Sequence, residues 1–179
     1  MAARRILGID PGTRFVGWGV IEACGDSVRR LDSGTWRLGE RNPLLERLVL
    51  FRKKLVCVLE EWSPTEVALE SAFMGKNARS ALRLGEARGV ALVTVAEVGI
   101  PLMEIPPALV KRRVAGAGNA GKEMIAHLVA AQVEGCEDFG SLDESDALAV
   151  ALCAFLEKSG NIGHDGGRRP VLPPGAELQ

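Results

Sequence analysis

Hydrophobic and polar positions alternate first with a period of two and later with the three-and-four spacing of helices. Arg5-Ile6-Leu7-Gly8-Ile9-Asp10 is a short apolar run closed by Pro11-Gly12, and residues 15–23 alternate as a hairpin partner would. Residues 32–38 supply a third strand. From 43 to 62 apolar residues recur at 44, 48, 51, 55, 59 and 62, which predicts an amphipathic helix with Pro43 near its first turn and Ser63-Pro64 as its stop.

Glu66-Val67-Ala68-Leu69-Glu70 is too short for a stable helix and follows a helical crossover, so it reads as a buried strand parallel to an earlier one. A second long helix is expected over 77–98, a last strand over 100–105 before Pro106-Pro107, and helices over 119–133 and 142–158. The predicted fold class is α/β, with a mixed five-stranded sheet flanked by helices. One domain is expected over 1–158, and the Gly/Pro-rich tail at 159–179 is expected to be flexible.

Composition adds limits. The chain has 179 residues, 47% hydrophobic and 25% charged, enough for one ordinary core without disulfides or structural metal. Cys24, Cys57, Cys136 and Cys153 lack paired spacing and read as reduced thiols, mostly in the core. No apolar run approaches the roughly 18 residues that span a bilayer, so a cytoplasmic protein is expected. His127 and His164 are the only histidines, which leaves a histidine triad or a His/Cys zinc site few candidates and makes carboxylates the source of any hydrolytic chemistry.

The net charge of -1 is unevenly spread. Residues 71–125 hold eight Lys/Arg against four Asp/Glu, whereas 126–157 carry seven acids and no Lys/Arg. A phosphate-binding surface beside a cation site has this pattern, although solvated helix faces give it too, and charge alone favours them.

Asp10 and Glu70 both finish apolar strands, where acids are disfavoured and where the surrounding structure must offset their desolvation. A turn-starting Asp and a capping or salt-bridging Glu are the ordinary alternatives. Asp143 and Asp146, three apart at the start of a helix, share one face. Ser141-Leu142-Asp143-Glu144 fits a capping box in which Glu144 is the better capping acid, and Asp146 lies beyond the capping positions. Four converging carboxylates repel, and magnesium, which prefers oxygen ligands, is the natural remedy. Two such ions about 4 Å apart can activate a water and stabilise a leaving oxygen in phosphodiester hydrolysis.

Three ordered segments, Gly8-Ile9-Asp10-Pro11-Gly12-Thr13, Ala68-Leu69-Glu70-Ser71-Ala72-Phe73-Met74 and Asp143-Glu144-Ser145-Asp146-Ala147-Leu148-Ala149, closely resemble the signatures of the RuvC family of crossover-junction endodeoxyribonucleases. The resemblance extends over 5–156 and includes Lys76 to Leu82 and Gly85 to Gly89. It implies an RNase H-like fold and a Holliday junction resolvase acting in recombination and repair. It also implies that Asp10, Glu70, Asp143 and Asp146 are catalytic and bind two magnesium ions, with manganese able to substitute. Phe73 matches an aromatic that inserts near the crossover, and Lys111 and Lys122 match cations near the scissile phosphate; Lys76, Arg79 and Arg112 are further candidate DNA contacts. The implied partners are four-way junction DNA, a second copy in a homodimer, and the branch-migration complex of RuvA and RuvB. The helix bearing Gly85 and Gly89 is assigned to the dimer interface, with close packing on its own sheet as the alternative.

Two other readings compete. A phosphotransferase of the actin and sugar-kinase superfamily also places an acid and glycines after its first strand, but it needs two such domains around a nucleotide. The second is a module that grips branched DNA without cutting, against which the intact acids argue, or a related RNase H-fold nuclease acting on another substrate.

Overall fold

The computed structural model describes residues 3–71, 78–116 and 120–160. Five strands form one mixed sheet in the order β3-β2-β1-β4-β5. They are β1 (Arg4–Asp10), β2 (Phe15–Cys24), β3 (Ser27–Arg37), β4 (Glu66–Glu70) and β5 (Leu102–Ile105). β1, β2 and β3 pair antiparallel, and β4 joins β1 in parallel, with Gly8 opposite Ala68 and Ile9 opposite Leu69. β5 continues the parallel half beside β4.

The helices are α1 (Leu44–Trp62), α2 (Ala78–Val98), α3 (Pro107–Ala115), α4 (Lys122–Gln132) and α5 (Leu142–Gly160). Strand alternation sorts the core into two layers. Leu7, Ile9, Val67 and Leu69 face α1 and α2, where Trp18 stacks on Trp36 at 5.5 Å and Trp36 meets Phe51. Ile6, Ile21, Ala68 and Ile105 face α3, α4 and α5. α5 is buried all round from Ala147 to Phe155, because the sheet covers one side of it and α3 and α4 cover the other.

α5 lies unusually close to the sheet, and glycines make room for it. A Cβ at Gly8 would collide with the backbone of Ala147 and Ala151, and one at Gly17 with the carbonyl of Asp143. Gly19 faces Leu148 in the same way. Glycine within a strand marks such close approaches.

Three expectations change. β3 begins at Ser27 rather than 32, because a tight turn at Gly25, with φ at 62°, returns the chain directly along β2. A register shift between Val20 and Ile21, together with the polar Arg29 and Arg30, hides the alternation there. Pro106-Pro107 does not simply end a strand: Pro107 opens α3, where a residue without an N–H is tolerated in the first helical turn. Finally, Cys24 and Cys57 are exposed; Cys136 and Cys153 are the core thiols, pushed up to about 11 and about 12 chiefly by burial. The expected flexible tail, apart from the last residues of α5, lies outside the described residues.

Candidate functional site

The alternation of β1 puts Asp10 on the same face as Ile6 and Gly8, and that of β4 puts Glu70 with Glu66 and Ala68. Both acids therefore point toward α5, at adjacent ends of neighbouring parallel strands. The backbone beyond each strand is held. Buried Arg47 of α1 donates to the Thr13 carbonyl, and the Ser71 N–H donates to the Ile105 carbonyl at 2.9 Å.

α5 brings the other two acids to this end. Gly17 is the register partner of Asp10, and the Asp143 backbone rests on Gly17. The start of α5 is fixed by Glu144. Its carboxylate accepts from the Gly140 N–H at 2.8 Å and the Ser33 hydroxyl at 2.6 Å, while its own N–H donates to Ser141 Oγ at 3.1 Å. Glu144 thus does the capping, and Asp143 and Asp146 take no part in it.

Asp10 and Glu70 are hydrogen-bonded to each other, and Asp10 is pushed up from 3.8 to about 8. Burial is the largest cause, followed by the charge of Glu70, the hydrogen bond to it and the charge of Asp146; Lys122 works the other way. Glu70 is also raised, mainly by burial and further by Asp146, against the lowering effect of Asp10's hydrogen bond, Lys122 and Lys111. Burial and the neighbouring carboxylates thus favour a proton held within the Asp10–Glu70 pair. Lys122, at the start of α4, pairs with Asp146. Burial disfavours its ammonium, but the Asp146 hydrogen bond and the charges of Asp146, Asp10 and Asp143 outweigh this and raise its pKa.

A cavity of 260 Å³ is lined by Glu70, Asp146, Lys111 and Lys122 over an apolar back wall that includes Val110, Ile125 and Ala149. Asp143 opens into an adjoining depression of 290 Å³ with Phe15, Thr35, Arg37 and Ser141. Among the described residues no three acids, histidines or cysteines stand together as a finished metal cage, and Asp146 is bonded to Lys122. The donor set nevertheless fits a hard divalent cation. It is all carboxylate oxygen, and two of its acids are raised by burial and by neighbouring carboxylate charge that a cation would cancel.

The remaining candidates fall in different places. Lys111 and Lys122 reach the cavity from α3 and α4. Arg112 is exposed and absent from the lining, and its neighbour Arg113 pairs with Glu157. Arg79 is exposed at the start of α2. Phe73 and Lys76 lie outside the described residues. The sequence reading missed the glycine seats under α5 and the Phe15 and Arg37 side of the site. Two glycines inside the alternating run Phe15 to Ala23 were the signal for the seats.

A family profile described as crossover junction endodeoxyribonuclease RuvC matches residues 6–154. The RuvC of Ruegeria pomeroyi is 44% identical over 149 residues, covering 83% of this chain and 89% of that protein. The RuvC of Dehalococcoides mccartyi is 44% identical over 155 residues, covering 87% and 93%. Thermus thermophilus RuvC in complex with Holliday junction substrate superposes with a TM-score of 0.81 at 31% identity, over 88% of this chain and 96% of that one. The yeast mitochondrial Holliday junction resolvase Ydc2, at 16% identity and a TM-score of 0.61 over 88% and 82% of the two chains, shares the fold. The mixed sheet, with α5 laid over β1 and β2, is RNase H-like, and the chain belongs to the RuvC family of crossover junction endodeoxyribonucleases.

Proposed function

We propose that this chain resolves Holliday junctions by magnesium-dependent hydrolysis of a phosphodiester, with Asp10, Glu70, Asp143 and Asp146 as the ligands and catalytic acids. The observation that carries this reading is the meeting of Asp10 and Glu70, at adjacent ends of β1 and β4, with Asp146, beside a cavity lined by Glu70, Asp146, Lys111 and Lys122. Acids raised by burial together with cations aimed into the same space suit a phosphate group better than a neutral substrate.

Bound magnesium supplies an activated water and offsets charge on the scissile phosphate. The overall reaction adds one water across a P–O bond, leaving a phosphate on one side and a hydroxyl on the other. A proton held between Asp10 and Glu70 would have to leave before both could act as anionic ligands. Lys122, once released from Asp146, and Lys111 are placed to balance charge that grows on the phosphate oxygens. The apolar back wall lowers the local dielectric and strengthens these interactions.

A twofold-symmetric junction suits a homodimer, and Gly85 and Gly89 favour α2 as the interface. A Cβ at either would meet nothing within 4 Å, so close packing on the chain's own sheet does not account for them. A branch-migration complex of RuvA and RuvB would deliver such junctions. The deciding experiment incubates the protein with a labelled four-way junction and magnesium. Paired symmetric nicks are expected, and no cleavage with either Mg²⁺ or Mn²⁺ would overturn the reading.

A further inference from the structure

The sheet extends past the first turn of α5. Gly17 lies under Asp143, but Phe15, two residues earlier on the same face, has no helix above it and is 39% exposed. Its register partner across β2 and β3 is Arg37, so the two side chains stand next to each other on that uncovered face. Thr35, on the same face of β3, bonds the Ser141 hydroxyl at 2.5 Å and ties this floor to the start of α5. Together with Asp143 these residues line the 290 Å³ depression.

Two features call for an occupant. Phe15 is one of three large exposed apolar side chains near this end of the molecule, with Met124 at 54% and Leu142 at 47%; Leu142 is the first residue of α5, and Met124 lines a hollow beside it with Lys122. The other exposed large hydrophobics among the described residues lie on α1 and α2. Arg37 is exposed and, among the described residues, its guanidinium has no ion pair or hydrogen bond and does not stack on Phe15. An idle guanidinium beside an idle aromatic ring, sharing a wall with Asp143, matches the two faces of a nucleotide: a phosphate and a base or sugar.

We propose that Phe15 and Arg37 form a strand-holding platform on the side of the catalytic acids opposite Lys111 and Lys122. This inference rests on the nuclease reading above. The strand crosses the acids and continues past Asp143, where one phosphate meets Arg37 and the adjoining nucleotide lies against Phe15. The scissile phosphate is thus gripped from both sides, by Lys111 and Lys122 before the acids and by Arg37 and Phe15 after them. Both are positioning residues, since neither reaches the carboxylate pair.

The test measures junction affinity without divalent metal at several salt concentrations, for the full chain and for Arg37→Ala, Arg37→Lys, Phe15→Ala and Phe15→Leu. Arg37→Ala should reduce the slope of log affinity against log salt by about 0.7 to 0.9, the loss of one phosphate contact, and Arg37→Lys should restore it. Phe15→Ala should weaken binding roughly tenfold. It should also remove the fluorescence change of a 2-aminopurine placed within two nucleotides of the cut; Phe15→Leu, which keeps the bulk and preserves the fold, should lose that signal too. If Arg37→Ala and Phe15→Leu fold with wild-type salt slope, affinity and fluorescence, the platform is refuted while the nuclease reading stands. A wild-type protein that cleaves no junction with either Mg²⁺ or Mn²⁺ removes the nuclease reading, and the platform with it.

Discussion

Asp143 sits on Gly17: its main-chain carbonyl occupies the space a Cβ would need there, and Gly17 is in turn the register partner of Asp10. This contact sets how deeply the acidic end of α5 descends on the strand that carries the buried acid. Gly17→Ala should therefore push α5 outward. The expected cost is about 1 to 3 kcal/mol of stability, typical of overpacking, with loss of junction cleavage beyond what the stability change explains. Melting curves and single-turnover cleavage, compared with a Cys57→Ser surface control, check this.

Asp10 gives the protein without metal a pH dependence of definite sign. Its carboxyl is raised from 3.8 to about 8 by burial, by Glu70 and by Asp146. Between these values the folded chain holds a proton that the unfolded chain has released. Stability from this group is therefore full below about pH 4 and falls as pH rises toward 8, by up to about 1.4 kcal/mol per pH unit. Melting temperatures measured in EDTA from pH 5 to 8 should show the fall, and Asp10→Asn should flatten it. Metal affinity should rise over the same range, because the cation displaces that proton.

Asp146 and Lys122 make opposite contributions although they are paired. Asp146→Asn removes a charge that adds to the burial-driven rise of Asp10 and Glu70, and the lost pair involves a Lys122 side chain that is 59% exposed, which makes it worth little. Cleavage should vanish while the melting temperature without metal stays level or rises. Lys122→Ala should lower both, with cleavage reduced about 10²- to 10³-fold. A clear drop in melting temperature for Asp146→Asn would make Asp146 a structural partner instead.

α2 presents Leu82, 71% exposed, and Val93, 59% exposed, on the stripe that carries Gly85 and Gly89. For the homodimer proposed above, Leu82→Lys should give a monomer in sedimentation and uncouple the paired nicks, without lowering the thermal stability of the isolated subunit. An unchanged oligomeric state would place the interface elsewhere.

Much of the architecture was legible in residue order. A short apolar run marked β1, alternation marked β2, the three-and-four spacing marked α1, and the apolar run after Asp146 marked α5. These signals are local, so reading them needed no contacts. The acids were legible for a related reason: a carboxylate that ends an apolar strand contradicts its neighbours, and the contradiction is visible in one dimension. Glu144 could be separated from Asp143 and Asp146 by capping geometry alone, and its bonds to the Gly140 N–H and Ser33 agree.

Other features required the assembled chain. The strand does end before Pro106, but α3, which Pro107 opens, was not read as a helix, because it gains burial against α4 and α5 that propensity does not register. Gly8 and Gly17 look like weak points in their strands until a helix backbone is laid across them. Asp10 is raised to about 8 because it is buried and because Glu70 and Asp146, 60 and 136 positions away in the chain, are folded against it. Residue types and their periods are written along the chain, whereas desolvation and distance between charges exist only once remote segments have packed together.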